Sequence, residues 1–267
     1  MILRSAFAVA LAAASLSLDV APPPFEIAVE DAADPWSRAD GSGFANDMVR
    51  NAFRASGFDV AFRVVPYARC KNMVLSGAVV ACFSMSPEPD LRDRVTFPAV
   101  PLFECYTTLV QNPARPLGAA RLDALPRGTV IGAVLGYEYP REVDEARRAG
   151  RIMIETSPSE ETLLRKLAAR RIAGALINVN ASKPLEFIAA RARVANGYEA
   201  AGRVGTLSSY LGFSRAHPRG AEAVRAYEEG MRRIASNGAA AGVVRDWTDS
   251  SRVTIRAFLD SLRKQPP

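Results

Sequence analysis

Two stretches of this chain, 44–84 and 137–178, pass through the same order of elements. In the first, a helical pattern over 46–56 is followed by Gly57, an apolar strand over 60–65, a second helix over 68–76 and a short apolar strand over 79–83. In the second, the order is a helix over 141–149, Gly150, a strand over 151–155, a helix over 160–169 and a strand over 175–177. An apolar strand precedes each copy, at 25–29 and at 129–134. Strands alternating with helices predict parallel pairing with right-handed crossovers. Duplication on this scale predicts two similar α/β lobes, and the gap between two lobes is where a small molecule binds.

The local signals agree with that outline. Met48, Val49, Ala52 and Phe53 form one apolar helical stripe, and Gly57 suits the left-handed position after a helix. Pro66 opens the next helix, where a missing N–H costs nothing. The apolar segments 105–111 and 206–214 flank the second copy as lone strands and are candidates for two connections between lobes. The expected organisation is therefore lobe 1 from 22–111 plus 206–267, with lobe 2, 112–205, inserted into it. The C-terminal part reads as a helix over 218–235, a break at Asn237-Gly238, a short helix over 239–247 and another over 254–263.

The N-terminus reads as a secretory signal over about residues 1–21: Arg4, then an apolar run over 6–18, then small residues at Ser15 and Ser17 suited to cleavage. An uncleaved anchor is the alternative. The run is short for a membrane span, and no cysteine follows it to carry a lipid. A mature protein outside the cytoplasm is expected, in the periplasm. The net charge of +6, from 34 basic and 28 acidic residues, is dispersed in pairs such as Arg147-Arg148 and Arg170-Arg171. No concentrated stripe or recognisable motif points to nucleic acid. Of three cysteines, Cys70 and Cys82 are the favoured disulfide, with Cys82–Cys105 as the rival. Their spacing fits no zinc site, and with His217 as the single histidine no metal or cofactor is expected.

The order of several motifs resembles a known family. Gly43-Phe44 leads a helix; Val65-Pro66-Tyr67-Ala68-Arg69, Leu75-Ser76-Gly77, Ala81-Cys82-Phe83-Ser84 and Phe97-Pro98 follow; then come Val130-Ile131-Gly132, Gly136-Tyr137-Glu138-Tyr139 and a late Asp246-Trp247. Over roughly 25–248 this resembles the extracytoplasmic solute-binding proteins of family 3, the polar amino-acid type that serves ABC importers. The resemblance implies a type II periplasmic-binding-protein-like fold, with two lobes and two crossover strands. It implies a monomer that closes on an amino acid or another small polar solute and passes it to a permease. The family usually has an Arg ahead of the Phe97-like aromatic to grip the ligand carboxylate; here Arg92 lies one place off that register, where Leu91 falls. The family often has an Asp at the end of the second-lobe strand to hold an ammonium; here Asn178 stands there, and a neutral amide cannot neutralise a cation.

The residues point to the same places unaided. Parallel sheets bind ligands at the carboxyl ends of their strands, where helix N-termini offer free N–H groups. Candidates at those ends are Trp36, Tyr67, Arg69, Ser84, Ser86, Arg92, Tyr137, Tyr139 and Asn178. Trp36, Tyr137 and Tyr139 would line the cleft or pack the lobes. Arg69 would grip a carboxylate or form a surface ion pair. Ser84 and Ser86 would donate hydroxyls or cap turns. Acid pairs such as Glu160-Glu161 read as exposed helix positions. An enzyme is not expected: His217 has no nucleophile beside it in sequence, and no Gly-x-Ser-x-Gly elbow, phosphate loop or HExxH motif occurs.

Overall fold

The computed structural model describes residues 22–263, so the leader-like segment and its expected cleavage point lie outside the described residues. In chain order the elements are β1 (Phe25–Glu30), β2 (Ala32–Ala33), β3 (Ser37–Arg38), α1 (Phe44–Ala55), β4 (Val60–Val65), α2 (Tyr67–Ser76), β5 (Ala81–Met85), β6 (Val95–Thr96) and β7 (Phe103–Gln111). There follow β8 (Thr129–Val134), α3 (Arg141–Arg148), β9 (Ile152–Ser157), α4 (Glu160–Ala168), β10 (Gly174–Val179), α5 (Leu185–Ala192), β11 (Glu199–Ser214), α6 (Gly220–Ser236) and α7 (Ala239–Arg263).

The long strands form one sheet in the order β4-β1-β5-β11-β7-β10-β8-β9, with β6 beside β11. The repeat explains its two halves: β1 pairs in parallel with β4 and β5, and β8 pairs in parallel with β9 and β10. Within the sheet the halves join through β7 and β11, which pair antiparallel from Phe103 opposite Ser209 to Gln111 opposite Glu199. Helices cover both faces of each half, giving four apolar clusters. Phe25, Phe53, Phe213 and Tyr227 centre the one under α1 and α6, while Cys70, Val74 and Met85 centre the one under α2. Leu163, Leu164 and Phe187 fill the cluster under α4 and α5, and Leu109, Ile131 and Val143 the one under α3. The α1–α6 contact is close enough that a Cβ on Gly230 would fall 1.8 Å from the Ala52 carbonyl oxygen. Cys70 on α2 and Cys82 on β5 are disulfide-bonded, with Cα atoms 5.7 Å apart, and Cys105 is buried and unpaired.

Three elements differ from the sequence reading, each for a packing reason. The strand expected over 206–214 begins at Glu199; Gly202 and Gly205 obscured its pattern, and the pairing register shifts at both. Helix α5 was not expected, because it is buried on nearly every side and shows no polar stripe: Phe187, Ile188, Ala189, Ala190 and Ala192 are all covered. The two short C-terminal helices are one, α7. Its polar middle reads as a loop, yet Ser251 is buried there and donates to the Ser182 carbonyl. Helix α7 thereby touches both halves. Trp247 Nε1 donates to Asp47 on α1 at 2.9 Å, and Ile255 packs on the cluster under α4 and α5.

Candidate functional site

The carboxyl ends of β1, β5, β8 and β10 face one another across the β7–β11 bridge. β8 and β10 lead through short loops into α3 and α5, β1 leads into the β2–β3 hairpin that precedes α1, and β5 leads into a 3-10 turn at Pro89–Leu91; ligand sites of parallel sheets lie at such ends. Among the described residues this junction holds a slot of about 20 Å³, lined by Glu30, Trp36, Ser84, Ser86, Cys105, Tyr137, Glu138, Asn178, Leu207 and Ser209. That volume suits a single water. A solute the size of an amino acid enters only if the halves part.

Side chains from opposite halves interlock around the slot. Tyr137 donates to Glu30 Oε1 at 2.6 Å, and Tyr67 donates to Glu138 Oε2 at 2.5 Å. The Tyr67 and Tyr137 rings meet edge-on, 5.2 Å apart. Lys71 Nζ lies 2.7 Å from Glu138 Oε1. Trp36 Nε1 donates to Asn180 at 3.3 Å, and the Lys183 ammonium sits over the Trp36 ring at 3.9 Å. Farther out, Arg191 pairs with Asp34 at 3.0 Å.

The chemistry of the slot is acidic. The N-terminus of α4 is capped by Ser159, whose hydroxyl accepts the Thr162 backbone N–H at 3.2 Å, and the acid that follows it turns to other partners. Glu160 is buried, accepts the Asn178 backbone N–H at 2.7 Å and pairs with Lys183, itself 1% exposed. Glu138 is answered by Lys71; burial raises its pKa more than Lys71 and Tyr67 lower it. Glu30 forms no ion pair among the described residues. Burial pushes its carboxyl up to about 8, with the Tyr137 hydrogen bond and the Lys183 charge opposing that rise. A carboxyl so placed carries a proton near neutrality or waits for a cation. Burial also pushes the Cys105 thiol up to about 12, so it is not a reactive thiolate.

Of the residues singled out from sequence, Trp36, Ser84, Ser86, Tyr137 and Asn178 meet at the slot, and Tyr67 reaches it through Glu138. Tyr139 does not; its hydroxyl accepts the Val134 backbone N–H at 2.8 Å and it lines an outer pocket beyond Tyr137. Arg69 and Arg92 do not line the slot either. Arg69 is exposed because the buried stripe of α2 is Tyr67, Cys70 and Val74. Arg92 is exposed because its neighbour Leu91 takes the inward position in the short 3-10 turn Pro89–Leu91. Sequence reasoning missed Glu30 and Lys183 and placed Glu160 on the surface. A polar residue closing the apolar run Phe25–Glu30 was the one local signal for Glu30.

No family model matches the sequence, and no curated protein matches it. Solved structures do. An ancestral arginine-binding protein bound to arginine superposes with a TM-score of 0.71 at 14% identity, covering 85% of this chain and 99% of that one. The fold is that of the periplasmic binding proteins. A histidine kinase sensor domain with similarity to periplasmic binding proteins gives a TM-score of 0.70 at 16% identity, over 84% and 95% of the two chains. An arginine transport-system periplasmic binding protein from Legionella pneumophila gives 0.68 at 13% identity, over 84% and 99%.

Gly136 marks a close approach of the halves. It sits at φ +86, and a Cβ there would lie 2.9 Å from the Ala68 Cβ on the facing half. Gly136→Val is expected to hold the halves apart and to lower the stability of its own half slightly, since φ +86 disfavours a β-branched residue. Binding of any solute that needs closure should weaken about tenfold or more, from the steric clash with Ala68. Titration calorimetry with scattering on the same variant checks this; unchanged affinity and an unchanged radius of gyration would refute it.

Proposed function

We propose that this chain is an extracytoplasmic solute-binding protein that captures a small polar, cation-bearing molecule by hinge closure and delivers it to an ABC importer. The observation that carries this reading is a buried carboxyl in the slot with no cationic partner among the described residues. Glu30 and Glu138 line the slot and Glu160 lies behind Asn178; Lys71 answers Glu138, Lys183 answers Glu160, and Glu30 is left for the solute. An ammonium or guanidinium would replace the proton on Glu30, with Trp36 and Tyr137 as its apolar and aromatic walls. A basic amino acid or an amine fits this arrangement better than a dicarboxylate, because the arginines expected to grip a carboxylate lie elsewhere. Closure binds; no covalent step is invoked. The export-signal pattern of residues 1–21 and the fold together support a periplasmic location. No helix among the described residues is long and apolar enough to cross a membrane.

Thermal-shift screening of the protein tests the class. Arginine, lysine and a diamine are expected to raise the melting temperature, by the equivalent of about 3–4 kcal/mol at 100–1,000 times the dissociation constant. Glutamate and dicarboxylates are expected to do nothing. A response confined to dicarboxylates would overturn the cation assignment. The sensor domain among the structural neighbours favours a second reading, in which the closed form signals to a receptor. Co-purification with a permease rather than a kinase ectodomain separates the two.

A further inference from the structure

The segment 112–205 holds 15 basic and 10 acidic residues, so it carries +5 of the chain's +6. The excess gathers at the end of its half-sheet opposite the slot. Strands β8, β9 and β10 all start there, and β7 leaves there. Arg115 follows β7, Arg127 precedes β8, Arg148 ends α3, Arg170 and Arg171 follow α4, and Arg193 follows α5. The loops that carry them are in contact. Asn112 donates to the Leu167 carbonyl, a Cβ on Gly197 would touch Ala168 and the Asn112 side chain, and Arg127 donates to the Ala149 carbonyl. All six arginines are exposed, and none forms an ion pair with a carboxylate among the described residues. Of the acids nearby, Glu199 is held by Gln111 at 2.7 Å and Glu145 stands one turn before Arg148.

Helix dipoles account for part of this, since α3, α4 and α5 all end here and their C-termini favour cations. They do not account for Arg115 and Arg127, which lie in loops. Nor do they account for the backbone at Arg170 and Arg193. Helices α1, α2 and α3 each leave through a left-handed glycine, at Gly57, Gly77 and Gly150. Helices α4 and α5 leave through arginine at the same kind of position, φ 58 at Arg170 and φ 56 at Arg193. Glycine is the better residue there for folding.

We propose that this arginine-studded end is a docking surface for the anionic headgroups of a phospholipid membrane. A protein partner would ask for an apolar or aromatic centre. Among the described residues the exposed large apolar side chains at this end amount to a lone Met153 near the start of β9; Val100, Tyr106, Leu135, Val244 and Val253 are on other segments. Single-stranded nucleic acid would ask for stacking aromatics along a groove. A headgroup layer asks only for charge, and each arginine near it raises partitioning roughly fivefold.

Sedimentation of the full chain with lipid vesicles tests the proposal. Phosphatidylcholine vesicles give the baseline contributed by the apolar residues 6–18; vesicles with about 30% phosphatidylglycerol give the charge-dependent part. The expected result is added binding to the anionic vesicles at low salt that disappears at high salt, as screening requires. Arg170→Gly with Arg193→Gly should cut that added binding by roughly 25-fold, with the melting temperature equal to the parent's or higher. Arg54→Gln, on the other half, should leave it unchanged. Equal binding to both vesicle types, an added component that salt does not remove, or a double variant that binds like the parent would each overturn the proposal. Tighter binding to a short DNA duplex than to the anionic vesicles would overturn it in favour of a nucleic-acid partner.

Discussion

Glu30→Gln should weaken a cationic solute by roughly two to three orders of magnitude, the usual consequence of removing the charged partner from a buried pair. The same change should alter how the protein responds to pH, and here the sign is informative. In the closed slot the Glu30 carboxyl holds its proton up to about pH 8, whereas a solvated carboxyl releases it near 4.5. A raised folded-state value means closure without solute is favoured by the bound proton. That contribution is complete below about pH 4.5 and is lost as pH rises through about 8. Across this window it amounts to roughly a few kcal/mol. A cation bound at Glu30 competes with the same proton, so its affinity should rise with pH over this range and level off near 8 wherever the free protein is closed. In Glu30→Gln both dependences should vanish. Calorimetry at a series of pH values, in buffers of different ionisation enthalpy, measures affinity and proton release together. A pH-independent affinity in the parent, with no proton released, would remove Glu30 from the site.

Lys183→Met should destabilise the fold by about 3–5 kcal/mol, since it leaves the Glu160 carboxylate buried and unpaired. In a chain of this size that corresponds to a fall of roughly 10 °C in melting temperature. Lys183 is 1% exposed and Glu160 is 3% exposed, so solvent does little to screen either. Part of the loss also comes from the ammonium over Trp36. Adding Glu160→Gln to Lys183→Met should restore most of the stability, because the stranded charge is then gone. Denaturant unfolding of the parent, both single variants and the double gives the coupling between the two residues. Additive losses would mean that the pair does not act as a unit.

Much of the fold was legible because the signals that made it are local. The left-handed glycines after α1, α2 and α3, the stripe of Met48, Val49, Ala52 and Phe53, and the apolar strands all lie within windows of a dozen residues. Cys70–Cys82 was within reach for the same reason, its partners being 12 residues apart. The slot was legible only in part. Loop positions at strand ends pointed to Trp36, Ser84, Ser86, Tyr137 and Asn178, which line the slot. Its charge balance is set by contacts no spacing reveals: Tyr67 with Glu138 at 71 residues, Glu30 with Tyr137 at 107, and Trp36 with Asn180 at 144. Glu160 shows the difficulty plainly. An acid at the first position of a helix reads as a solvated partner of the dipole, and only the fold brings Lys183 to it and buries both. Arg69 and Arg92 failed in the opposite direction. Their chemistry suited a carboxylate, but one helical step beside Cys70, or one residue past Leu91, turned each of them outward.

The central claim is that two halves joined by β7 and β11 part and close around a solute. Small-angle scattering tests it most directly, at about pH 8 where the Glu30 proton no longer favours the empty closed form. The expected result is a radius of gyration that shrinks when a saturating basic amino acid or diamine is added, and a free protein that shrinks likewise as pH falls toward about 5. A radius that stays constant through every solute and every pH would contradict the account.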